Sequence, residues 1–233
     1  MYGITYNGKH SFNDLELIVL NTRVVEAPSK VKIIETIPFS NITYDFSNLY
    51  GNNCYNERVL EYEFLIKANK STDLDFKRMV VENWLLGSSG KSQLYDDDTR
   101  GYFYNAECIK TDFEDLGNIG KLKAIFNAYP FKIKSTHEGE DIWDTFNFEL
   151  DMLQETLFEV NGSKTITLYN EGAIDIEPYV ITTSDFKVTL DGKEYSFKEG
   201  TTKTYIFKLK RGANELTLSG NGSIEFKFRK EVL

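Results

Sequence analysis

Asn83-Trp84-Leu85-Leu86-Gly87, followed by Ser92-Gln93-Leu94-Tyr95-Asp96, Tyr102-Phe103-Tyr104 and Ala128-Tyr129-Pro130-Phe131, is the run between residues 80 and 131 that decides the fold. It reads as a helix closing on a Leu-Gly step, a strand pair, an aromatic strand, and a strand ending on an aromatic-Pro-Phe step. Within residues 72–86, Phe76, Met79, Val80 and Trp84 fall at helical spacing with charges between them, the signature of an amphipathic helix. Ser71 or Thr72 is expected to cap it, Asp73 and Asp75 to favour its positive end, and Gly87 to supply a left-handed stop. That apolar stripe is too wide to leave in water. The helix is therefore expected to lie across a sheet with Phe76, Met79, Val80 and Trp84 buried.

Working outward, most other segments alternate apolar and polar residues: 31–37, 59–66, 121–126 and 223–228. A period of two is that of half-buried antiparallel strands, and an aromatic content of 14% suits a pleated surface. The chain is expected to be mainly β. Residues 135–141, Ser135-Thr136-His137-Glu138-Gly139-Glu140-Asp141, are polar, contain glycine and lack periodicity; they are expected to link a first domain, 1–134, to a second, 142–233. Beyond them, short strands are expected at 143–150, 155–160, 164–169, 177–182, 186–190, 194–197, 204–209, 215–218 and 223–228. The turns between them fall at Asn161-Gly162, Asp191-Gly192, Glu199-Gly200, Arg211-Gly212 and Gly220-Asn221-Gly222. That density of strands and turns predicts a β-sandwich.

At 233 residues, with 41% hydrophobic and 27% charged residues and four prolines, the chain has the composition of a soluble globular protein with two cores. Its longest apolar runs are a few residues, far short of the roughly 20 that span a bilayer. The first ten residues lack the basic and apolar regions of a signal peptide, so synthesis in a cytoplasm is expected. Cys54 and Cys108 either pair or stay reduced, and a cytoplasmic origin favours two thiols. A net charge of −9 opposes binding to a phosphate backbone, which draws its affinity from Lys and Arg, so no specific nucleic-acid binding is expected.

Few segments suggest chemistry. Gly87-Ser88-Ser89-Gly90-Lys91-Ser92 resembles a phosphate-binding loop, but Leu85 stands where the first glycine belongs, and the run follows a helix instead of opening one. Asp96-Asp97-Asp98 lacks the alternating ligands of a calcium loop and reads as a charged hairpin tip. His10 and His137 are isolated from other metal-ligand or triad partners. A pair of glycosidase carboxylates leaves no sequence pattern, so a two-domain hydrolase stays open as an alternative. So does a stand-alone sugar-binding sandwich presenting Trp143, Phe146 and Phe148, or Tyr195 and Phe197, although alternating strand aromatics favour a core. No catalytic residue, metal or cofactor is assigned.

The order of motifs in the opening segment resembles the N-terminal domain of the distal tail proteins of long-tailed, non-contractile bacteriophages. The resemblance extends to a first hairpin at Ile4-Thr5-Tyr6-Asn7-Gly8-Lys9 with residues 11–15. Residues 31–38, Tyr44-Asp45-Phe46, Tyr55-Asn56-Glu57-Arg58 and 59–66 continue it as strand, proline turn, aromatic strand, Tyr-x-x-Arg and strand. Leu168-Tyr169-Asn170-Glu171-Gly172 and Ile176-Glu177-Pro178 carry it into the second half, so it covers nearly the whole chain. It departs at Pro38-Phe39-Ser40-Asn41, where many members have a glycine-rich turn. The resemblance implies a virion structural protein of a phage or prophage rather than an enzyme. Its N-terminal domains, β-sandwich-like with one helix and a hairpin, would form a homo-hexameric ring at the virion tail tip. The ring would join the tail tube protein to a tail-associated lysin, fibre or receptor-binding protein of the host-adsorption baseplate, and the second domain would be a galectin-like sandwich serving as a docking platform. Pro38, Phe39, Tyr44 and Phe46 are candidate ring contacts, their alternative being an ordinary core. No cofactor and no membrane are implied.

Overall fold

The computed structural model describes residues 2–47, 49, 53–140 and 151–233. The chain divides into two compact units, Met1–Lys132 with Leu233, and Ile133–Val232. Residues 135–140, expected as linker, run within the second unit, where Glu138 is buried; Asp141 and the expected strand at 143–150 lie outside the described residues. No helix among the described residues is long and apolar enough to cross a membrane.

The first unit contains β1 (Ile4–Tyr6), β2 (Lys9–His10), β3 (Ile18–Val19), β4 (Val24–Val25), β5 (Ile34–Thr36), β6 (Thr43–Asp45), β7 (Arg58–Lys67), α1 (Ser71–Leu86), β8 (Ser92–Asp96), β9 (Tyr102–Asp115) and β10 (Ile119–Ala128). Its main sheet runs β2-β1-β8-β9-β10-β7-β3, with β4 also on β7. Alternation sets the faces: Leu60, Tyr62, Phe64 and Ile66 of β7 point inward, opposite Phe126, Ala124, Leu122 and Gly120 of β10. On the other face Glu61 pairs with Lys123 at 2.8 Å and Glu63 with Lys121 at 3.0 Å. The alanines and glycine leave room for aromatic rings. Tyr6, Tyr62 and Phe126, and Phe64 and Trp84, meet edge to face with centroids 5.2–6.2 Å apart, a favoured arrangement of ring quadrupoles.

The helix forms over the expected residues, but with a different face inward. Leu74, Val81, Trp84 and Leu85 are buried, while Phe76 (69% exposed), Met79 and Val80 face outward. The reason is Trp84, whose indole N–H donates to the Tyr6 carbonyl at 2.6 Å and whose carbonyl accepts from the Asn7 amide at 3.0 Å. Those bonds fix the rotation of α1, and the residues three, ten and one position away follow. Arg78 completes the inner face by lying 4.6 Å over the Phe113 ring. The start and end also differ from expectation. Lys70 is the extended residue before the helix and makes no side-chain cap, and Gly87 has φ −78° instead of a left-handed value, donating to the Asn83 carbonyl at 3.0 Å.

Asp96 is likewise not at a solvated tip. It is buried at the end of β8, accepting from the Tyr62 hydroxyl at 2.8 Å and from Arg23 at 3.0 and 3.1 Å. Arg23 also donates to the Tyr2 hydroxyl at 2.6 Å and pairs with Asp98 at 2.8 Å. Burial, reinforced by the Asp96 charge, pushes the Tyr62 hydroxyl far above the ordinary phenol range and raises Tyr2 in the same way; Tyr104 is raised by burial. Cys108 and Cys54 are free thiols, one buried and one exposed, and burial pushes Cys108 up to about 12.

The second unit contains β11 (Lys132–Lys134), β12 (Leu157–Asn170), β13 (Tyr179–Thr182), β14 (Phe186–Leu190), β15 (Lys193–Phe197), β16 (Gly200–Thr202), β17 (Gly212–Lys227) and β18 (Glu231–Val232). Its six-stranded sheet runs β15-β14-β17-β13-β16, with β12 also on β17, and β11 pairs with β18 outside that sheet. Asp191 (φ 53°) and Gly192 (φ 75°) form the expected two-residue hairpin turn between β14 and β15, a turn whose twist suits that of its strands. Asn161-Gly162 and Gly220-Asn221-Gly222 are not turns. They lie inside β12 and β17 at matching register, Gly162 opposite Gly220 and Asn161 opposite Asn221, with Gly162, Gly220 and Gly222 all at positive φ. Glycine lets both strands bend together without losing their ladder. One edge of β17 thereby serves β14 through residues 216–219 and β13 through residues 224–227, while the other pairs with β12. Residues 204–209 form no strand, and β16 replaces the turn expected at Glu199-Gly200. Asn170 explains the Asn-x-Gly step: its buried side chain donates to the Ile174 and Leu209 carbonyls and accepts from the Gly172 amide. Four buried charges, Lys134, Glu138, Asp151 and Lys230, offset one another nearby.

Two outcomes follow for the first unit. Trp84→Ala should cost about 3–5 kcal/mol through the cavity it leaves, whereas Phe76→Ser on the outer face should change stability by no more than about 0.5 kcal/mol. Urea denaturation followed by circular dichroism separates them, and equal losses would mean the faces are misassigned. Alkali provides the second. A tyrosine held protonated in the folded state leaves stability unaffected below its unfolded pKa near 10 and lowers it as pH rises beyond that, by about 1.4 kcal/mol per pH unit for Tyr62. Melting temperatures between pH 9 and 11 should therefore fall more steeply in the wild type than in Tyr62→Phe; parallel slopes would exclude Tyr62 as the source.

Candidate functional site

The four expected contact residues come together on one hairpin. Among the described residues β5 and β6 pair only with each other, Ile34 opposite Asp45 and Thr36 opposite Thr43. The hairpin's base is tied to the unit by a bridge between Lys30 and Tyr55 and by the Val31 amide on the Cys54 carbonyl at 2.8 Å. Its shaft is held by Lys32 on Asp45 at 2.7 Å, which with Ser47 draws the Asp45 carboxyl well below the usual carboxylate range. Beyond its base this arm buries almost nothing. Ile33, Ile34, Ile37, Phe39, Ile42, Tyr44, Phe46 and Leu49 are all exposed, as is Pro38. The alternating pattern of residues 31–37 thus marks a strand over its Ile34–Thr36 part, but among the described residues its side chains are all exposed and meet no core. An isolated two-stranded hairpin is marginal in water, and an apolar patch of this extent marks an interaction surface.

The tip has its own geometry. Phe39 occupies the left-handed region at φ 63°, where glycine would sit without strain and a bulky side chain costs roughly 1–2 kcal/mol. Its side chain is completely exposed. The Ser40 amide closes the turn onto the Ile37 carbonyl at 3.1 Å, and the Ser40 hydroxyl accepts from the Ile42 amide at 3.1 Å. On the shaft, Tyr44 and Phe46 stack with centroids 6.3 Å apart and planes 17° from parallel.

A second apolar surface lies on α1, whose outer face carries Phe76, Met79 and Val80. Beside it is a groove of about 480 Å³ between the turn after β1 and the C-terminal half of the helix, lined by Asn7, Lys9, Val80, Asn83, Trp84 and Gly87 among others. Its walls are set by the turn residues Asn7 (φ 47°) and Gly8 (φ 73°), and by Asn7 bridging the Trp84 carbonyl at 3.0 Å and the Ser92 hydroxyl at 2.7 Å. The sequence does contain a clue to this surface. Leu74, Arg78, Val81 and Leu85 form a competing stripe at helical spacing, and if it is the buried one, Phe76, Met79 and Val80 must face outward.

The segments whose sequence suggests chemistry have structural partners. Lys91, in the loop resembling a phosphate site, is paired with Glu57, and the loop leaves the carbonyl end of α1. His10 sits 3.1 Å from Asp97 while its other ring nitrogen accepts the Phe12 and Asn13 amides, and His137 sits 3.1 Å from Glu140. Among the described residues no three His, Cys, Asp or Glu side chains converge as metal ligands. Phe197 is buried, and Tyr195 packs edge-on against Phe207 at 5.1 Å; Trp143, Phe146 and Phe148 lie outside the described residues.

No family model matches the chain, and no curated protein does. Among solved structures, it is similar to the Dit protein (gp 19.1) of phage SPP1, described as a paradigm of the hub adsorption apparatus in phages that infect Gram-positive bacteria. The similarity covers 98% of this chain and 99% of that one with a TM-score of 0.67 at 15% sequence identity. Over almost its entire length, this chain has a Dit-like, β-rich fold.

Proposed function

We propose that the protein is a distal tail protein of a phage or prophage, a structural hub that forms a homo-hexameric ring and joins the tail tube to the host-adsorption apparatus. The observation that carries this reading is the end-to-end likeness to the SPP1 hub protein, both units included. A fragmentary likeness would have supported only a shared domain. The first unit, which ends at Lys132, is the ring-forming part. The second, read as a galectin-like sandwich, is the platform for a lysin, fibre or receptor-binding protein.

The exposed arm supports the ring. A closed ring needs a head-to-tail interface in which two different patches of each copy meet, and a hairpin displaying Phe39, Tyr44 and Phe46 provides one such patch. The charge is compatible with the role: at −9, a ring does not hold DNA that passes through it by phosphate contacts.

Light scattering at high protein concentration, repeated with a tail partner present, should reveal a species six times the 26.9 kDa chain mass, with the chain located at the tip in purified tails. A monomer under every condition, tails included, would refute the hub.

A further inference from the structure

The second unit holds four charges out of water at one point. The side chains of Lys134, Glu138, Asp151 and Lys230 are at most 6% exposed. The Lys230 ammonium lies 2.5 Å from Oδ1 of Asp151, and Lys134 lies 3.3 Å from the same oxygen and 3.4 Å from Oε1 of Glu138. Desolvating four ions is costly, and apolar side chains of the same volume commonly hold a core as well or better. A buried amine pressed against a buried carboxyl is, however, a pair of reactants. We infer that Lys230 and Asp151 condense into an intramolecular isopeptide bond, with Lys230 as nucleophile, Asp151 as electrophile, and Lys134 stabilising the charge that develops on Oδ1.

The backbone brings the two reactants together. The Lys134 amide in β11 donates to the Lys230 carbonyl at 2.9 Å. The segment that carries Asp151 is fastened by Gln154, which donates to Oε2 of Glu138 at 3.3 Å and exchanges two hydrogen bonds with the Tyr169 backbone. Groups held in contact in this way react as parts of one molecule, with the entropy of encounter already met. Closed to water, the pair can pass one proton from the ammonium to the carboxylate, which comes to rest on Oδ2 and leaves both groups neutral. The Lys230 lone pair then attacks Cγ, and the electrons of the Cγ–Oδ1 double bond move onto Oδ1, beside the Lys134 ammonium. As they return, the Cγ–Oδ2 bond breaks; Oδ2, carrying the first proton, takes a second from Nζ and leaves as water. A C–N bond replaces a C–O bond, and nothing is oxidised or reduced. The condensation removes one positive and one negative charge together. Lys134 and Glu138 stay behind as a neutral pair in contact, which accounts for four buried charges where an ordinary ion pair has two.

The bond forms within one chain, so its test stands apart from the hub and needs no assembly. Intact-mass spectrometry of the purified full chain, incubated folded and then denatured, should find it one water lighter than its sequence mass. Tandem spectra of a digest should find a branched peptide joining Asp151 to Lys230. Lys230→Arg keeps the charge but supplies no amine, and it should retain its full sequence mass. Lys134→Met combined with Glu138→Gln removes a neutral pair; it should slow the condensation roughly a hundredfold while leaving the circular dichroism spectrum unchanged. A wild type at full sequence mass after prolonged incubation overturns the bond, as does an equal loss of water from Lys230→Arg. A branch from Lys134 overturns Lys230 as nucleophile, and an undiminished rate in the double variant overturns the role of Lys134.

Discussion

The hydrogen bond from the Trp84 indole to the Tyr6 carbonyl organises the first unit. A buried indole N–H without an acceptor is costly, so the bond must form wherever the ring is buried, and it can form only when α1 adopts one rotation against β1. That rotation brings Trp84 edge-on to Tyr6 and Phe64 and carries Leu74, Val81 and Leu85 into the core. It equally turns Phe76, Met79 and Val80 outward. The apolar ridge on the surface is therefore a direct consequence of how the core is satisfied. Tyr6 extends the same economy, its hydroxyl meeting the Ser88 hydroxyl at 2.9 Å and the Cys108 amide at 3.3 Å, so one residue connects the helix end, the first strand and β9.

A second polar centre holds the opposite end of β8. Asp96 gathers Tyr62 from β7 and Arg23 from the loop before β4, and its own carbonyl accepts the Thr99 amide at 2.9 Å to shape the following turn. Three consecutive aspartates thus divide their labour. Asp96 serves the core, Asp97 receives the Gly3 amide at 2.9 Å and His10, and Asp98 holds the outer side of Arg23. A run of like charge is tolerated because every member is compensated, Asp96 and Asp98 by two different nitrogens of Arg23 and Asp97 by the Gly3 amide and His10.

Much of the fold is legible in the sequence. The alternation in β7 and β10, the Asp191-Gly192 hairpin, and the existence of one helix all follow from local spacing, because each depends on residues close in the chain. What is not legible depends on partners far away. Phe76, Met79 and Val80 are as apolar as Leu74, Val81 and Leu85, so periodicity alone offers two stripes, and only the distant Tyr6 carbonyl chooses between them. Gly162 reads as a turn until Gly220 is placed opposite it, when both become a shared bend. Asp96 looks solvated until Arg23 and Tyr62 reach it. Alternation at residues 31–37 reports a strand with apolar positions, but not that those positions stay exposed. Pro38, Phe39, Tyr44 and Phe46 are candidate contacts only through a resemblance, and the structure adds that they are exposed on one hairpin.

The bent ribbon of β12 and β17 has a kinetic consequence. β17 is the partner of β12, β13 and β14 alike, yet it lies after all three in the chain. Until it has been synthesised, β14 with β15 and β13 with β16 can close only as separate pairs, and β12 has no strand of this sheet on which to pair. Pairing across so long a separation must first overcome the entropy of loop closure, which makes such topologies slow to fold. The second unit is thus committed to folding late and as a whole, with its strand edges open to neighbouring chains during synthesis, the interval in which a nascent protein of this design depends most on being kept apart from its copies.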